Sequence, residues 1–307
     1  MIRILTYLII SIFTITISFA QVKSEEITIN NQAIQLPGTL TYPAENIPLL
    51  IWVHGSGPVN RNGNQPAQNV KANYIKQFRD AVNKENIAFF SYDKRTANSK
   101  NREFLKDTQA KDFAFDVEEV VNHFKKDKRF SEIILVGHSQ GSLIAMLALD
   151  KVDKYISIAG AGETVDKTIV KQLTAQSADF GKIAAGHFKE LKETGKVEDV
   201  NPNLLSIFAK PNQSFWNSWM QLDPVKEMKK IKIPVLIING DKDIQVKIEN
   251  ANALHSANKA SELVIIKNMN HVLKDIQQEE DNIKSYYSAE YPISKELIKT
   301  ILEFVKQ

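Results

Sequence analysis

The sequence contains no cysteine among its 307 residues. Without a thiol, the chain can form no disulfide and carry no lipid-attached cysteine. An excess of charge of one sign is also missing, because 39 lysine and arginine residues nearly balance 36 aspartate and glutamate residues. No dense basic block occurs, so we expect no nucleic-acid partner. The length suits one large domain, or a domain that carries an inserted cap.

The first twenty residues differ from the rest of the chain. A positive charge precedes an apolar stretch from Ile4 to Ile17, and Ser18-Phe19-Ala20 then supplies small residues for a cleavage site. This layout is typical of a secretory signal peptide at residues 1–20. An uncleaved anchor is the alternative, but the apolar stretch is short for spanning a bilayer. We therefore expect export to a bacterial periplasm or to the exterior, and no stable membrane association of the mature chain, 21–307.

Apolar runs alternate with helical patterns along most of the mature chain. The predicted buried strands are Pro48–Val53, Ile87–Tyr92, Glu132–Val136, Tyr155–Ala159, Pro234–Ile238 and Leu263–Ile266. The predicted helices are Val70–Asn83, Asp112–Lys126, Ser139–Leu149, Val246–Ala257 and Ser294–Lys306. Before them, Glu25–Pro43 predicts an antiparallel hairpin that turns at Asn30-Asn31. This alternation predicts an α/β fold with a mostly parallel central sheet, covered by helices on both faces.

One long segment interrupts the alternation. No strand is expected between about residues 163 and 230, where stretches such as Lys167–Ala178 and Lys182–Leu191 have helical character. We interpret 163–230 as a helical cap inserted between two strands; extra helices packed beside the sheet are the alternative. The segment is also rich in aromatic residues. These side chains form either an apolar wall of a substrate pocket or the cap's own core; they are Phe208, Phe215, Trp216 and Trp219.

The motif Gly137-His-Ser-Gln-Gly141 lies between a buried strand and an alanine- and leucine-rich helix. Strand, Gly-x-Ser-x-Gly and helix in this order predict a nucleophile elbow, a strained turn that lifts a serine hydroxyl clear of the sheet. The five-residue pattern alone is weak. Assigning Ser139 as the nucleophile therefore depends on whether catalytic partners follow it.

A serine nucleophile of this type needs a carboxylate and then a histidine, in that chain order. The loop after the strand that ends at Gly240 offers two acids, Asp241 and Asp243. We prefer Asp243, because one acid of such a turn commonly holds the turn through its own backbone. Of the six histidines, only His271 follows both the serine and the acid and lies at a strand end.

Acyl transfer also needs two backbone N–H donors for the oxyanion. The residue after the nucleophile, Gln140, is expected to supply one. Ser56, in the His54-Gly-Ser-Gly57 loop after an early strand, is expected to supply the other, since the glycines let the backbone approach a ligand closely. No metal or organic cofactor is expected in this chemistry.

Together these pieces resemble the α/β-hydrolase superfamily, close to its serine aminopeptidase-like and acyl-esterase branch. The resemblance implies that the second acid of the turn, Asp243, is the catalytic acid. Members usually follow Asp-Lys-Arg with glycine, whereas this chain has Thr96 and Ala97 there. Asp93 and Arg95 are expected to brace their loop through an ion pair. The motifs involved are His54-Gly-Ser-Gly57, Tyr92-Asp-Lys-Arg95, Gly137-His-Ser-Gln-Gly141, Gly240-x-x-Asp243-x-x-Val246 and Asn270-His271.

The sequence thus predicts a serine hydrolase that cleaves a small-molecule carboxylic ester through an acyl-enzyme. Aminopeptidase and thioesterase activities use the same triad and stay open as alternatives. A peptidase needs an acid for the substrate's free amine, for which Glu163 is a candidate, whereas a periplasmic location argues against coenzyme A thioesters. A noncatalytic binding protein with the same fold is the remaining alternative, and the oligomeric state is open.

Overall fold

The computed structural model describes residues 21–307, and the predicted signal peptide lies outside the described residues. Within them, eight strands form one mixed sheet in the order β1-β2-β4-β3-β5-β6-β7-β8. The first two strand pairs in that order are antiparallel and the others are parallel. The strands are β1 (Lys23–Asn31), β2 (Ile34–Tyr42), β3 (Ile47–Val53), β4 (Ala88–Tyr92), β5 (Phe130–His138), β6 (Lys154–Ile158), β7 (Val235–Gly240) and β8 (Glu262–Ile266).

Helices cover both faces of this sheet, which confirms the predicted α/β fold. None of the helices within residues 21–307 combines the length and the apolar character needed to cross a bilayer. The α-helices are α1 (Tyr74–Lys84), α2 (Ala110–Phe124), α3 (Gln140–Met146), α4 (Val165–Gln176), α5 (Ala178–Thr194), α6 (Leu205–Phe208), α7 (Lys210–Met220), α8 (Pro224–Met228), α9 (Ile248–Ala257), α10 (Asp281–Ser285) and α11 (Lys295–Val305).

The continuous apolar run of β3 shows why both faces are covered. Successive side chains of a strand point to opposite faces. Leu49 and Ile51 accordingly belong to the core beneath α2 and α3, whereas Leu50 and Trp52 belong to the core beneath α1 and α11. All four side chains are fully buried. A strand buried on both faces therefore reads as uninterrupted hydrophobic sequence.

The N-terminal hairpin turns two residues later than predicted. Asn30 and Asn31 both lie within β1, and Asn31 pairs directly with Ile34 across the hairpin. The turn is therefore made by Gln32 and Ala33, with Gln32 at a φ of 53°. The Asn31 amide instead donates a hydrogen bond of 2.9 Å to Asp116 on α2, which holds it in the strand.

Helices α4 to α8 occupy the chain between β6 and β7, where the helical cap was predicted. The beginning of α2 is joined to α7 by two hydrogen bonds of 2.9 Å, from the Gln109 side chain to Ser214 and from the Ala110 N–H to Ser218. The apolar side chains of α4, α5 and α7 belong to the same buried cluster as those of α2 and α3. These contacts place the segment over the carboxyl end of the sheet, where β5 meets α3.

Candidate active site

Ser139 lies at the junction between β5 and α3, in a strained turn with φ 55° and ψ −121°. Its N–H donates to the Ile158 carbonyl at 2.9 Å, which fixes the turn to β6. Neighbouring backbone segments lie so close to Gly137 and Gly141 that neither position has room for a Cβ atom. A Cβ atom at Gly141 would lie 2.1 Å from the Val53 carbonyl oxygen, and one at Gly137 would lie 2.5 Å from that of Gly141. Only glycine fits at either position.

The structure brings Ser139, His271 and Asp243 together. The Nε2 atom of His271 is 3.0 Å from the Ser139 hydroxyl, and its Nδ1 atom is 2.8 Å from Oδ2 of Asp243. His271 and Asp243 are buried, whereas Ser139 remains partly exposed. This continuous chain of hydrogen bonds has the arrangement that activates a serine hydroxyl for attack.

The two acids in the loop after β7 occupy different positions. Oδ1 of Asp243 accepts the N–H groups of Gln245 at 2.7 Å and Val246 at 2.8 Å, which leaves Oδ2 for His271. Asp241 is exposed, and its carboxylate accepts the N–H of Asn268 at 2.6 Å. Both carboxylates accept hydrogen bonds from backbone N–H groups, but only Asp243 also contacts His271.

A buried amide network fixes the loop that carries His271. The Asn270 side chain accepts the Lys274 N–H at 3.0 Å and donates to Asn282 at 3.1 Å and Ser285 at 2.7 Å. These bonds join the loop to α10. The resemblance pointed to Asn270-His271, but no sequence pattern indicated the partners on α10.

Two further histidines lie under the site and are uncharged at neutral pH. Burial lowers the pKa of His138 to about 3, and its Nε2 donates to the His271 carbonyl at 2.8 Å. Burial likewise lowers the pKa of His54 to about 3, with the positive charge of Lys94 as the second cause. Its Nε2 donates to the Tyr92 carbonyl at 2.5 Å. Each ring thus binds a backbone carbonyl near the site, that of His271 or that of Tyr92.

Ser56 and Gln140 lie beside the serine, as the predicted oxyanion donors must. Both line one cavity together with Ser139. A Cβ atom at Gly55 would lie 3.2 Å from that of Ser139, so the loop passes directly over the nucleophile. Gln140 is the first residue of α3, where an N–H has no helical acceptor. Within residues 21–307, the Ser56 N–H has no backbone acceptor either.

Two cavities meet at Ser139. The first, of about 170 Å³, has a largely apolar wall formed by Leu143, Val165, Ile169, Trp216, Trp219, Pro224 and Val246. The second, of about 240 Å³, carries more polar side chains, namely Gln65, Gln68, Tyr74, His138, Gln245, His271, Tyr286 and Tyr287. Ser56, Ser139 and Gln245 line both. His271 lines only the second cavity.

The four aromatic residues of the predicted pocket separate into two pairs. Trp216 and Trp219 line the first cavity, with their rings stacked 5.4 Å apart and only 2° from parallel. Phe208 is fully buried against Phe188 in the core of the segment, away from this cavity. Phe215 packs edge-on against Phe113 of α2. Phe208 thus belongs to the core of the segment, and Phe215 packs where the segment meets α2.

The Tyr92–Arg95 motif forms two separate ion pairs. Asp93 pairs with Arg61 at 2.9 Å, and Arg95 pairs with Asp116 at 2.6 Å. Thr96, which follows Arg95 where the resemblance implies a glycine, donates a hydrogen bond from its hydroxyl to the Gly57 carbonyl at 3.4 Å. The turn after β4 is therefore held to α2 through Arg95 and to the Ser56 loop through Thr96.

Lys94, between these two ion-paired residues, is a site residue that the sequence reasoning missed. Its Nζ atom lies 2.7 Å from the Gly55 carbonyl and 2.7 Å from Oε1 of Gln140. Burial lowers its pKa to about 7. The only indication in the sequence was that Lys94 belongs to the Tyr92–Arg95 motif.

The described part of the chain contains no group of three acidic or histidine side chains placed to hold a metal ion.

The mixed sheet, the serine turn and the Ser–His–Asp arrangement together define an α/β-hydrolase, with the fold of the esterases in that superfamily. More specifically, the chain belongs to the BD-FAE family, whose model matches residues 34–257. Esterase EstD of Thermotoga maritima is 27% identical over 230 residues. That match covers 73% of this chain and 53% of EstD, so the chain spans about half the length of this relative.

Solved structures show the same fold. Est1E from Butyrivibrio proteoclasticus superposes with a TM-score of 0.57 at 19% identity, covering 92% of this chain and 99% of Est1E. The esterase Pf2001 from Pyrococcus furiosus has a TM-score of 0.58 at 19% identity, with 92% of each chain covered. At this identity the similarity establishes the fold alone.

Proposed function

We propose that the protein is a serine hydrolase that cleaves carboxylic esters of small molecules. The observation that carries the proposal is the chain of hydrogen bonds from Asp243 through His271 to Ser139. Two of the relatives, EstD and Pf2001, are named as esterases, and these names support ester hydrolysis as the reaction class.

In the proposed reaction, Nε2 of His271 takes the hydroxyl proton of Ser139 while Oγ attacks the ester carbonyl. Asp243 holds the ring in the required tautomer and stabilises its positive charge. The N–H groups of Ser56 and Gln140 bind the oxyanion. His271 then gives its proton to the leaving alcohol, and water activated by the same nitrogen releases the acid from Ser139.

The position of His271 supports one assignment of the two cavities. The leaving alcohol must lie within reach of His271, because that residue protonates its oxygen. His271 lines the polar cavity, so this cavity receives the alcohol. The apolar cavity beside Trp216 and Trp219 then receives the acyl group. Polar side chains on one side and tryptophans on the other favour a polar alcohol and an apolar or aromatic acid.

The volume of the acyl cavity limits the acid. A dry protein cavity of about 150 Å³ accommodates benzene, and the cavity here is about 170 Å³. We therefore expect short acyl groups, or acyl groups with a single aromatic ring, to be accepted and long fatty acyl groups to be excluded. A structure of Est1E with bound ferulic acid, an aromatic acid with one ring, agrees with this expectation.

Aminopeptidase activity is less well supported. Glu163 lines the acyl cavity and is the acid there that a free amine would contact. Its carboxylate already accepts a hydrogen bond of 2.6 Å from Lys171. The charge of Lys171 offsets part of the negative charge that would attract a free amine, which favours an uncharged acyl group. The triad geometry is equally suited to a thioester, so thioesters belong among the test substrates.

The experiment uses purified protein that begins at Gln21, with p-nitrophenyl esters from acetate to palmitate, methyl esters of hydroxycinnamic acids, a thioester and aminoacyl anilides. We expect turnover of short-chain and hydroxycinnamic esters, and a loss of at least about 10⁴-fold in Ser139→Ala. Turnover of anilides alone would replace the esterase proposal with a peptidase. Turnover that survives in Ser139→Ala, or binding without turnover, would contradict a serine hydrolase.

Export remains a proposal of its own, supported by the signal-like layout of residues 1–20. N-terminal sequencing of the protein recovered from a bacterial periplasm or culture medium should begin at Gln21. Recovery of the intact N-terminus in the membrane fraction would instead show an uncleaved anchor.

A further inference from the structure

A buried lysine lies behind the two segments that carry the candidate oxyanion donors. Lys94 leaves the turn after β4 and is 6% exposed. Its Nζ atom donates to the Gly55 carbonyl and to Oε1 of Gln140, each at 2.7 Å. It also lies 4.7 Å from the centre of the Phe113 ring. A single ammonium group therefore contacts both segments at once.

Within residues 21–307, no ion pair accounts for the burial of this charge. The acids nearest in its turn and on α2 are engaged by other cations, Asp93 by Arg61 and Asp116 by Arg95. A buried ammonium group without a contacting carboxylate lowers stability relative to an apolar side chain of similar size. The contacts of Lys94 thus indicate a role other than stabilising the fold.

The contact with Gly55 acts on the Ser56 N–H. The Gly55 carbonyl and the Ser56 N–H belong to one planar peptide unit, so a donor fixed on the oxygen fixes the direction of the N–H. A positive charge at the oxygen also polarises the unit and strengthens the N–H as a donor. The second contact holds the side chain of Gln140, whose own N–H is the other candidate donor.

We propose that Lys94 is a positioning residue that aligns and polarises the oxyanion hole through the Gly55–Ser56 peptide and the Gln140 side chain. The inference rests on the proposed serine hydrolase. Lys94 itself does not contact the substrate. Its effect is greater in the transition state than in the bound substrate, because the carbonyl oxygen gains negative charge as the tetrahedral intermediate forms.

The charge of Lys94 responds to pH. Burial lowers its pKa to about 7, the negative charge of Asp116 opposes this shift, and the positive charge of Arg95 adds to it. His54, behind the same loop, is neutral at this pH because its own pKa is lowered to about 3. The turnover rate is therefore expected to fall above about pH 7 as Lys94 loses its proton and the hydrogen bond to Gly55 loses its charge assistance.

The test compares wild type with two variants. Lys94→Met keeps an unbranched side chain, one atom shorter, without charge or donor, and Lys94→Gln keeps a neutral donor. We expect Lys94→Met to lower kcat by about 10- to 100-fold with KM changed by less than about threefold. Lys94→Gln should lie between the two, and neither variant should show the alkaline fall in kcat. Binding of a trifluoromethyl ketone, whose serine adduct carries an oxyanion, should weaken by the same factor as kcat/KM.

The matched control is Lys111→Met, which removes an exposed lysine from α2 and should leave kcat and its pH profile unchanged. Thermal unfolding should show Lys94→Met to be folded. If Lys94→Met does not fold, the proposal is tested by the kcat of Lys94→Gln and by the fall in the kcat of wild type above about pH 7. A value of kcat in Lys94→Met or Lys94→Gln within twofold of wild type, with the same pH profile and ketone affinity, would overturn the proposal.

Ser139→Ala separates this outcome from failure of the proposed function. If Ser139→Ala is inactive while the Lys94 variants behave as wild type, only the role of Lys94 is wrong. If Ser139→Ala keeps its activity, the serine mechanism fails and the role of Lys94 fails with it.

Discussion

The Asp243 carboxylate binds the ring of His271 with one oxygen and the backbone with the other. Oδ2 lies 2.8 Å from Nδ1 of His271, while Oδ1 accepts the N–H groups of Gln245 and Val246. The side chain is completely buried. Because the two backbone donors fix the carboxylate plane, Oδ2 is held facing Nδ1 of His271.

This relationship predicts different effects for the two acids of the loop. Asp243→Asn keeps the shape of the side chain. Its carbonyl oxygen must take the place of Oδ1 to accept the two backbone N–H groups, so its NH2 group lies opposite Nδ1 and favours the wrong tautomer of His271. We expect kcat on a short-chain ester to fall by about 10³- to 10⁴-fold with a small change in KM. Steady-state kinetics of the purified variant checks this.

Asp241→Asn is the matched control, since Asp241 is exposed and, among residues 21–307, its carboxylate bonds only to the Asn268 N–H. Its kcat should stay within about threefold of wild type. If Asp241→Asn were the inactive variant and Asp243→Asn the active one, the assignment of the acid would be reversed.

The strand pattern and the Ser139 turn were predictable because their causes are local. A run such as that of β3 must be apolar to be buried on both faces, and the elbow glycines are required by contacts below 3 Å. The order of acid and histidine after Ser139 follows from the order of the parallel strands. These are constraints that one sequence records directly.

The pocket wall and the supporting contacts were not predictable for the opposite reason. Which face of α7 meets the serine depends on how the segment between β6 and β7 packs on α2. Phe208 and Trp219 are equally aromatic in sequence, yet only Trp219 lines the cavity. Lys94 looked like a charged loop residue, and its contacts with Gly55 and Gln140 join segments far apart in the chain.

The tryptophan pair should set the size of the acyl group. Trp219→Leu removes one of the two stacked rings from the cavity wall and extends the space beside Ser139. We expect the ratio of kcat/KM for octanoate to kcat/KM for acetate esters to rise by about tenfold, since a few methylenes gain contacts. A series of p-nitrophenyl esters measures the ratio.

Phe115→Ala is the control, because this phenylalanine is 48% exposed on α2 and does not line the cavity. It should leave the ratio unchanged. An unchanged ratio in Trp219→Leu, in a protein that is still folded, would show that the acyl group lies elsewhere.

The close approach at Gly141 predicts a large effect of a single methyl group. A Cβ atom there would lie 2.1 Å from the Val53 carbonyl, so Gly141→Ala must push β3 and α3 apart. We expect a loss of about 3 kcal/mol or more in the free energy of unfolding, together with most of the activity. Urea unfolding followed by tryptophan fluorescence measures the loss.

Gly186→Ala is the comparison variant in the same urea unfolding assay, and we expect it to raise the stability. Gly186 lies within α5, and a Cβ atom there would meet no other atom within 4 Å. Because alanine favours the helix, this variant should be more stable by about 0.5 to 1 kcal/mol. Similar effects of the two substitutions would contradict the described packing at the elbow.

The buried histidines predict how stability depends on pH. Burial holds the pKa values of His54 and His138 at about 3, below the value of 6.5 that histidine has in an unfolded chain. Between these values the unfolded state binds more protons than the folded state, so stability is highest above pH 6.5 and decreases as the pH falls toward 3. Each histidine contributes about 1.4 kcal/mol for each pH unit in this range.

His54→Gln removes one of the two groups and keeps an amide that can donate to the Tyr92 carbonyl. The slope of the free energy of unfolding against pH, measured in urea between pH 6 and 4, should therefore be smaller by about 1.4 kcal/mol per unit than in wild type. Ser139→Ala removes no titratable group and should keep the wild-type slope. A wild-type slope in His54→Gln would mean that the folded protein accepts the proton on His54, which its complete burial beneath the Ser56 loop and the positive charge of Lys94 both oppose.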